Sequence, residues 1–178
     1  TDYAIMGRSE NSRNRVFRLK DGILETKAYD ESKVKDPSLI IYKAKAEIDG
    51  KTIISNGDQT DTILDSLEEG KTFEDALMKR TYEPDAPSFT PRISMIMNSD
   101  SYSLSIIRRK DEKPERLIWT YGAFNGICHT IHTYDEGGDP LPSFSSSPVP
   151  LYLPDSFEEF RDTLWNSLDK DNRISLYV

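Results

Sequence analysis

Two Asp-Gly pairs constrain what this chain can become more than any other feature. Asp21-Gly22 lies between Val16–Leu19 and Ile23–Tyr29, and Asp49-Gly50 lies between Ser38–Ile48 and Thr52–Ser55. Asp-Gly between runs rich in Val, Ile, Tyr and Thr favours the tight turns that reverse a strand, so the first third of the chain reads as antiparallel. Tyr3–Arg8 reads as a further strand, joined to Val16–Leu19 by a polar arginine loop. A helical stretch follows: Ile63, Leu64 and Leu67 give one apolar face, with Gly70 as its C-terminal cap. Thr72 is placed to cap a second helix carrying Phe73, Ala76, Leu77 and Arg80, which Pro84 and Pro87 prevent from continuing. Ile93–Met97, Tyr102–Arg108, Glu115–Tyr121 and Ile127–Tyr134 read as four more strands, with turns at Asn98–Asp100 and Lys110–Lys113. Residues 135–150 read as a long Gly/Pro/Ser loop. Ser156 and Glu159 form a capping-box pattern ahead of a last helix with Phe157, Phe160, Leu164 and Leu168 on its apolar face, and Ile174–Val178 reads as a terminal strand. Strands, two helices, strands and a helix make an α+β order, which suggests two sheets covered by helices.

No internal repeat or long linker divides the 178 residues, so a single domain over 1–178 is expected. No apolar run approaches the roughly 20 residues of a membrane helix. No basic-then-apolar leader opens the chain, and Cys128, the sole cysteine, has no internal disulfide partner. These features favour a cytoplasmic protein. The net charge of −8 argues against nucleic acid and membrane surfaces and leaves a small molecule or a protein as partner. The charge is uneven: residues 1–20 hold five basic side chains against two acidic ones, a local +3 that leaves −11 for the rest. An acidic chain with one dense arginine segment suggests a local anion site.

Four constellations carry candidate chemistry. Gly7-Arg8-Ser9-Glu10-Asn11-Ser12-Arg13-Asn14-Arg15 offers guanidinium forks among small polar neighbours, a pattern suited to phosphate and equally to a solvated, salt-bridged loop. Ser55-Asn56-Gly57-Asp58-Gln59-Thr60-Asp61-Thr62-Ile63 sits where a strand hands over to a helix. Asn-Gly there suits positive φ and Asp and Thr suit the cap, so the segment reads either as a ligand-binding junction or as turn chemistry alone. Glu83, in Tyr82-Glu83-Pro84, is a general-base candidate, and Arg92, in Thr90-Pro91-Arg92, could hold an anion; both also read as surface charges. Cys128 and His132 are placed to share a strand face, with His129 on the other, but they fall short of a metal-ligand set. A Cys–His nucleophilic pair there has no further support. Thr1 invites comparison with N-terminal threonine nucleophiles, but nothing in Asp2-Tyr3-Ala4 exposes or activates it.

Taken together, Arg8-Ser9 with Asn14-Arg15, Tyr42, Ser55–Ile63, Tyr82-Glu83 and Thr90-Pro91-Arg92-Ile93 resemble the archaeal-type IMP cyclohydrolase family and its bacterial relatives. The likeness is densest over residues 3–93 and continues weakly in Ile131-His132-Thr133-Tyr134. It implies a four-layer αββα sandwich of the N-terminal-nucleophile-hydrolase type without an N-terminal nucleophile. It also implies dehydrative closure of 5-formamidoimidazole-4-carboxamide ribonucleotide to inosine monophosphate in purine biosynthesis, with no cofactor and no metal. On this reading Arg15 and Tyr42 polarise the formyl and carboxamide oxygens and Glu83 transfers protons. Arg8, Arg13 and Arg92 take the phosphate, while Asn56, Gly57, Thr60 and Asp61 surround base or ribose. A purine nucleotide is then the partner, and assembly into a homo-oligomer is expected. Family members begin with a short Gly-Arg-containing strand that has no counterpart here, so a segment contributing to the sheet edge or the site is expected to be missing. The diverged last third, with loop 135–150, leaves open an amidohydrolase or nucleotide-binding protein on the same scaffold that acts on another phosphorylated compound.

Overall fold

Asp21 and Asp49 adopt positive φ, 51° and 48°, and each is followed by a glycine at positive φ, 81° at Gly22 and 71° at Gly50. These are the turns that Asp-Gly supports, and both join neighbouring antiparallel strands. The computed structural model describes residues 1–7, 9–34, 37, 40–135 and 138–178, with Asn11 described in its backbone alone. The elements run β1 (Tyr3–Met6), the helical turn α1 (Glu10–Arg13), β2 (Arg15–Lys20), β3 (Ile23–Ala28), β4 (Lys43–Ile48) and β5 (Lys51–Ser55). They continue with α2 (Gln59–Glu68), α3 (Phe73–Met78), β6 (Arg92–Met97), β7 (Ser101–Lys110) and β8 (Lys113–Gly122). The last are β9 (Ile127–Thr130), β10 (Val149–Tyr152), α4 (Phe157–Ser167) and β11 (Arg173–Tyr177).

Strands β2 to β8 form one seven-stranded antiparallel sheet in chain order, so each strand lies beside its sequence neighbour. One face is covered by α2 and α3, whose Ile63, Phe73, Ala76 and Leu77 pack on Ile53 of β5 and Ile107 of β7. Burial of each such large side chain stabilises the fold by roughly 1.5–3 kcal/mol. On the other face, Leu24, Tyr42 and Ala44 meet Phe17 together with Tyr3 of β1 and Tyr177 of β11. β1 pairs with β11, and β9 pairs with β10, as two separate two-stranded ribbons. The architecture is mixed α+β, with one large antiparallel sheet and few helices. Among the described residues no helix is long and apolar enough to cross a membrane.

Several expectations are corrected. The strand expected over 38–48 begins only at Lys43, because the Pro37 carbonyl accepts from both Ile40 and Ile41 and turns the chain there; residues 38 and 39 lie outside the described set. The arginine loop contains a helical turn, α1. The strand expected over 127–134 stops at Thr130, and Val149–Tyr152, whose first two residues fall in the expected loop 135–150, pairs with it despite Pro150. Of the expected loop 135–150, residues 136 and 137 lie outside the described set. Ser156 caps α4 by accepting from the Glu159 N–H, but α4 buries no residue and Phe157 is exposed. The rest of the expected face, Phe160, Leu164 and Leu168, is half-buried.

Candidate active site

Antiparallel alternation gathers distant residues at one end of the sheet. β2 begins at Arg15, β4 begins just after Tyr42, β6 begins at Arg92, and β5 ends just before Asn56 and Gly57. Strands β2, β4 and β6 run the same way, so their starts coincide with the end of β5.

The first cluster is built on Arg92, whose side chain is 8% exposed. Its Nη2 donates to Glu83 Oε2 at 2.8 Å, and Nη1 lies 2.7 Å from Glu83 Oε1. Nη1 also donates to Asp58 at 2.6 Å and to Gln59 Oε1 at 2.7 Å, and Nε donates to the Thr81 carbonyl at 2.9 Å. Arg92, expected at phosphate, thus turns all three nitrogens onto protein acceptors. Burial pushes the Glu83 carboxyl above its ordinary range; the Arg92 charge pulls it down, while Asp58 and Asp85 push it up further. A carboxylate held this way is poised to accept a proton. Burial also works against the charge of Asp58, but hydrogen bonds and charge from Arg80 and Arg92 outweigh it and hold that carboxyl below its usual range. Asp58 precedes α2 and makes no side-chain cap bond, because its carboxylate is turned to Arg80 and Arg92 instead.

Gly57 does not adopt positive φ, contrary to expectation; its role is close approach. A Cβ there would lie 2.7 Å from Gln59 Oε1, 2.9 Å from Arg92 Nη1 and 3.0 Å from Glu83 Oε1. Asn56 fastens β5 to β6: its Oδ1 accepts from the Ile93 N–H at 2.8 Å and its Nδ2 donates to the Pro91 carbonyl at 2.9 Å. Gln59, fully buried, passes its Nε2 to Asn56 Oδ1 at 3.0 Å.

The second cluster lies on the face opposite α2. Arg15 Nη1 donates to the Tyr42 hydroxyl at 3.2 Å, and Tyr42 shares a 2.9 Å hydrogen bond with the Tyr3 hydroxyl. Arg15 Nε is buried, and no acceptor among the described residues meets it. An unmet buried donor costs roughly 1–3 kcal/mol.

Tyr134 lies near the first cluster through Thr90. It feels the charges of both Arg15 and Glu83, and burial pushes its phenol above the ordinary value. Its hydroxyl lies 2.6 Å from Thr90 Oγ1. The loop between Glu83 and Thr90 is pinned, since the Glu83 N–H donates to the Thr90 carbonyl at 2.9 Å. Tyr134 and Thr90 were quoted in the sequence motifs without roles. Asp85, behind Thr90, left no signal there.

Other candidates stand apart. Arg13 donates to the Asp171 carbonyl and to Asn172 Oδ1, both at 2.8 Å, and so fastens α1 to the turn before β11. Thr60 is fully buried with its hydroxyl 2.6 Å from that of Ser55. Asp61 pairs with Lys43 at 2.7 Å. Arg8 lies outside the described residues. His132 lies beyond the end of β9, so it shares no strand face with Cys128; it packs on Phe144. His129 stacks on Tyr121 at 3.7 Å and meets the Tyr102 hydroxyl at 2.6 Å. Burial pushes the Cys128 thiol up, away from thiolate reactivity. A hollow of about 80 Å³ between Lys51, Met97 and Tyr102, at the far end of the sheet, is smaller than the roughly 300 Å³ at which ligand pockets begin.

The described residues at this sheet end thus hold a largely buried carboxylate–guanidinium pair, an arginine with an unmet buried donor, and a tyrosine hydrogen-bonded to Thr90. The sequence profile described as "IMP cyclohydrolase-like protein" matches residues 1–178, and the chain belongs to that family. A curated relative, the "IMP cyclohydrolase" of Methanopyrus kandleri, is 27% identical over 163 residues, covering 84% of this chain and 79% of its own.

Proposed function

We propose that this protein closes the purine ring, converting 5-formamidoimidazole-4-carboxamide ribonucleotide to inosine monophosphate and water. The observation that carries the reading is the buried Glu83, raised above its ordinary range although it is paired with Arg92, at the same sheet end as the unmet Nε of Arg15. Membership of the family and the name of the Methanopyrus relative support it.

In this mechanism the carboxamide nitrogen attacks the formyl carbon, and a C–N bond forms as the C=O π bond opens. Glu83 takes the proton that the nitrogen gives up. Charge growing on the formyl oxygen is met by the Arg15 Nε–H, which Tyr42 helps to aim. The protonated Glu83 returns that proton to the formyl oxygen, giving a hydroxyl on the new ring carbon. The C–O bond then breaks as the formamido nitrogen forms the C=N bond, and the proton that nitrogen gives up passes through Glu83 to the departing hydroxide, which leaves as water. Orientation by two fixed clusters supplies much of the rate, because the reaction is intramolecular and needs one reactive conformer.

The four-layer αββα arrangement in a single domain belongs to the same proposal. It is supported by α2 and α3 on one sheet face and the β1–β11 ribbon against the other. The test is a crystal soaked with inosine monophosphate. The expected result places the ring carbon that came from the formyl group facing Arg15 Nε and the adjacent carboxamide-derived ring nitrogen beside Glu83; a base seated away from both would overturn the assignment.

A further inference from the structure

Thr90 has one hydroxyl proton and two neighbours that want it. Its Oγ1 donates to Asp85 Oδ2, and the Tyr134 hydroxyl lies 2.6 Å away on its other side. A carboxylate oxygen only accepts, so a Thr90 proton turned toward Tyr134 would leave two lone-pair atoms facing each other at Asp85. The proton therefore stays on the Asp85 side. Thr90 must accept at the other contact, and Tyr134 must donate. The backbone fixes this sense a second time, because the Thr90 N–H donates to Asp85 Oδ1 at 2.7 Å and holds the carboxylate in place.

We infer that the Asp85–Thr90–Tyr134 chain is a specificity device: it turns the Tyr134 proton out of the site and presents the phenol lone pairs to ligand, selecting an N–H donor such as a primary carboxamide over a carboxylate. The inference rests on the proposed function, in which the substrate carboxamide has two N–H groups. One goes to Glu83; the other is received by Tyr134. Tyr134 touches the ligand in this account, while Thr90 and Asp85 are positioning residues.

The geometry also gives a way to reverse the chain. In Asp85→Asn the Thr90 N–H still requires an oxygen at Oδ1, so the new amide NH2 faces Thr90 Oγ1. Thr90 must then accept there and donate to Tyr134, whose own proton turns into the site. Thr90→Val removes the chain without changing any charge. Thr90→Ser preserves it.

The experiment measures affinity for the 4-carboxamide and 4-carboxylate ribonucleotides of 5-aminoimidazole in wild type and these three variants. A second arm records NMR contacts of the Tyr134 hydroxyl proton in the ligand-free protein. Wild type is expected to prefer the carboxamide, and that preference is expected to shrink about tenfold in both Asp85→Asn and Thr90→Val while Thr90→Ser keeps it. The Tyr134 hydroxyl proton should show a cross-peak to the Thr90 side chain in wild type and lose it in Asp85→Asn. Shrinkage in Asp85→Asn alone would mean a simple charge effect and would overturn the inference, as would an absent cross-peak in wild type. If wild type binds neither nucleotide, the functional reading fails instead, and the cross-peak alone decides the orientation.

Discussion

Both carboxylate oxygens of Glu83 lie against the Arg92 guanidinium, at 2.7 and 2.8 Å, where the side chains are 13% and 8% exposed. A pair this buried depends on both members, because either one left alone is an uncompensated charge.

Arg92→Lys is expected to destabilise the fold by about 2–4 kcal/mol, since a single ammonium cannot span Glu83, Asp58, Gln59 and the Thr81 carbonyl together. Urea denaturation reads this as a lower midpoint with an unchanged slope. An unchanged midpoint would show that the fork geometry is dispensable.

The pH dependence follows from two carboxyl groups shifted in opposite directions. Glu83 must be ionised to accept a proton, so turnover is expected to fall as the solution is acidified, with a midpoint above the ordinary glutamate value of about 4.3. The stability effect has the opposite sense. The folded state holds the Glu83 proton more tightly than the unfolded state, so its contribution is full in acid and is lost as pH rises through the raised value. Asp58, held low, contributes above the unfolded aspartate value of about 3.9 and loses that contribution as pH falls through its folded value. The acid limb of the rate profile should disappear from the residual activity of Glu83→Gln. A wild-type limb centred at the ordinary glutamate value would contradict the assignment.

Gly57→Ala is expected to lower turnover by at least about tenfold while costing about 1–3 kcal/mol of stability, because its Cβ enters the space between Gln59, Arg92 and Glu83. The backbone there carries no positive φ, so the effect is purely steric. Circular dichroism of the folded variant beside its kcat separates the two effects.

Arg15→Ala should cost about 100-fold or more in kcat with a small loss of stability, because it gives up one 3.2 Å hydrogen bond to Tyr42 and a buried Nε–H that meets no acceptor among the described residues. Tyr42→Phe should show a smaller loss, since it releases the Arg15 head without removing its charge. Steady-state kinetics and thermal melts of the two variants check both statements.

Strand order was legible because the turns are local: Asp21-Gly22, Asp49-Gly50 and the 110–113 segment each show their geometry in two residues. The capping of α3 by Thr72 was legible for the same reason. The site was legible only in outline. Glu83, Arg92, Arg15 and Tyr42 could be nominated, but their grouping into two clusters depends on sheet register across many residues. Asp58 read as a cap, and a local rule lost to two guanidiniums that arrive from Arg80 and Arg92. Gly57 read as a turn glycine, yet its need is set by side chains 26 and 35 positions away, at Glu83 and Arg92. The strand through Pro150 was hidden because proline argues against a ladder, and it is tolerated here in a two-stranded ribbon.

The central claim is tested most directly by adding 5-formamidoimidazole-4-carboxamide ribonucleotide to the purified protein and following ring closure by ultraviolet absorbance, with Glu83→Gln in parallel. The account requires saturable formation of inosine monophosphate by wild type and a loss of at least about 100-fold in kcat/KM in a Glu83→Gln protein that still folds. No ring closure by wild type, or equal rates in the two proteins, would contradict it; hydrolysis of a different nucleotide from a panel would point to an amidohydrolase on the same scaffold.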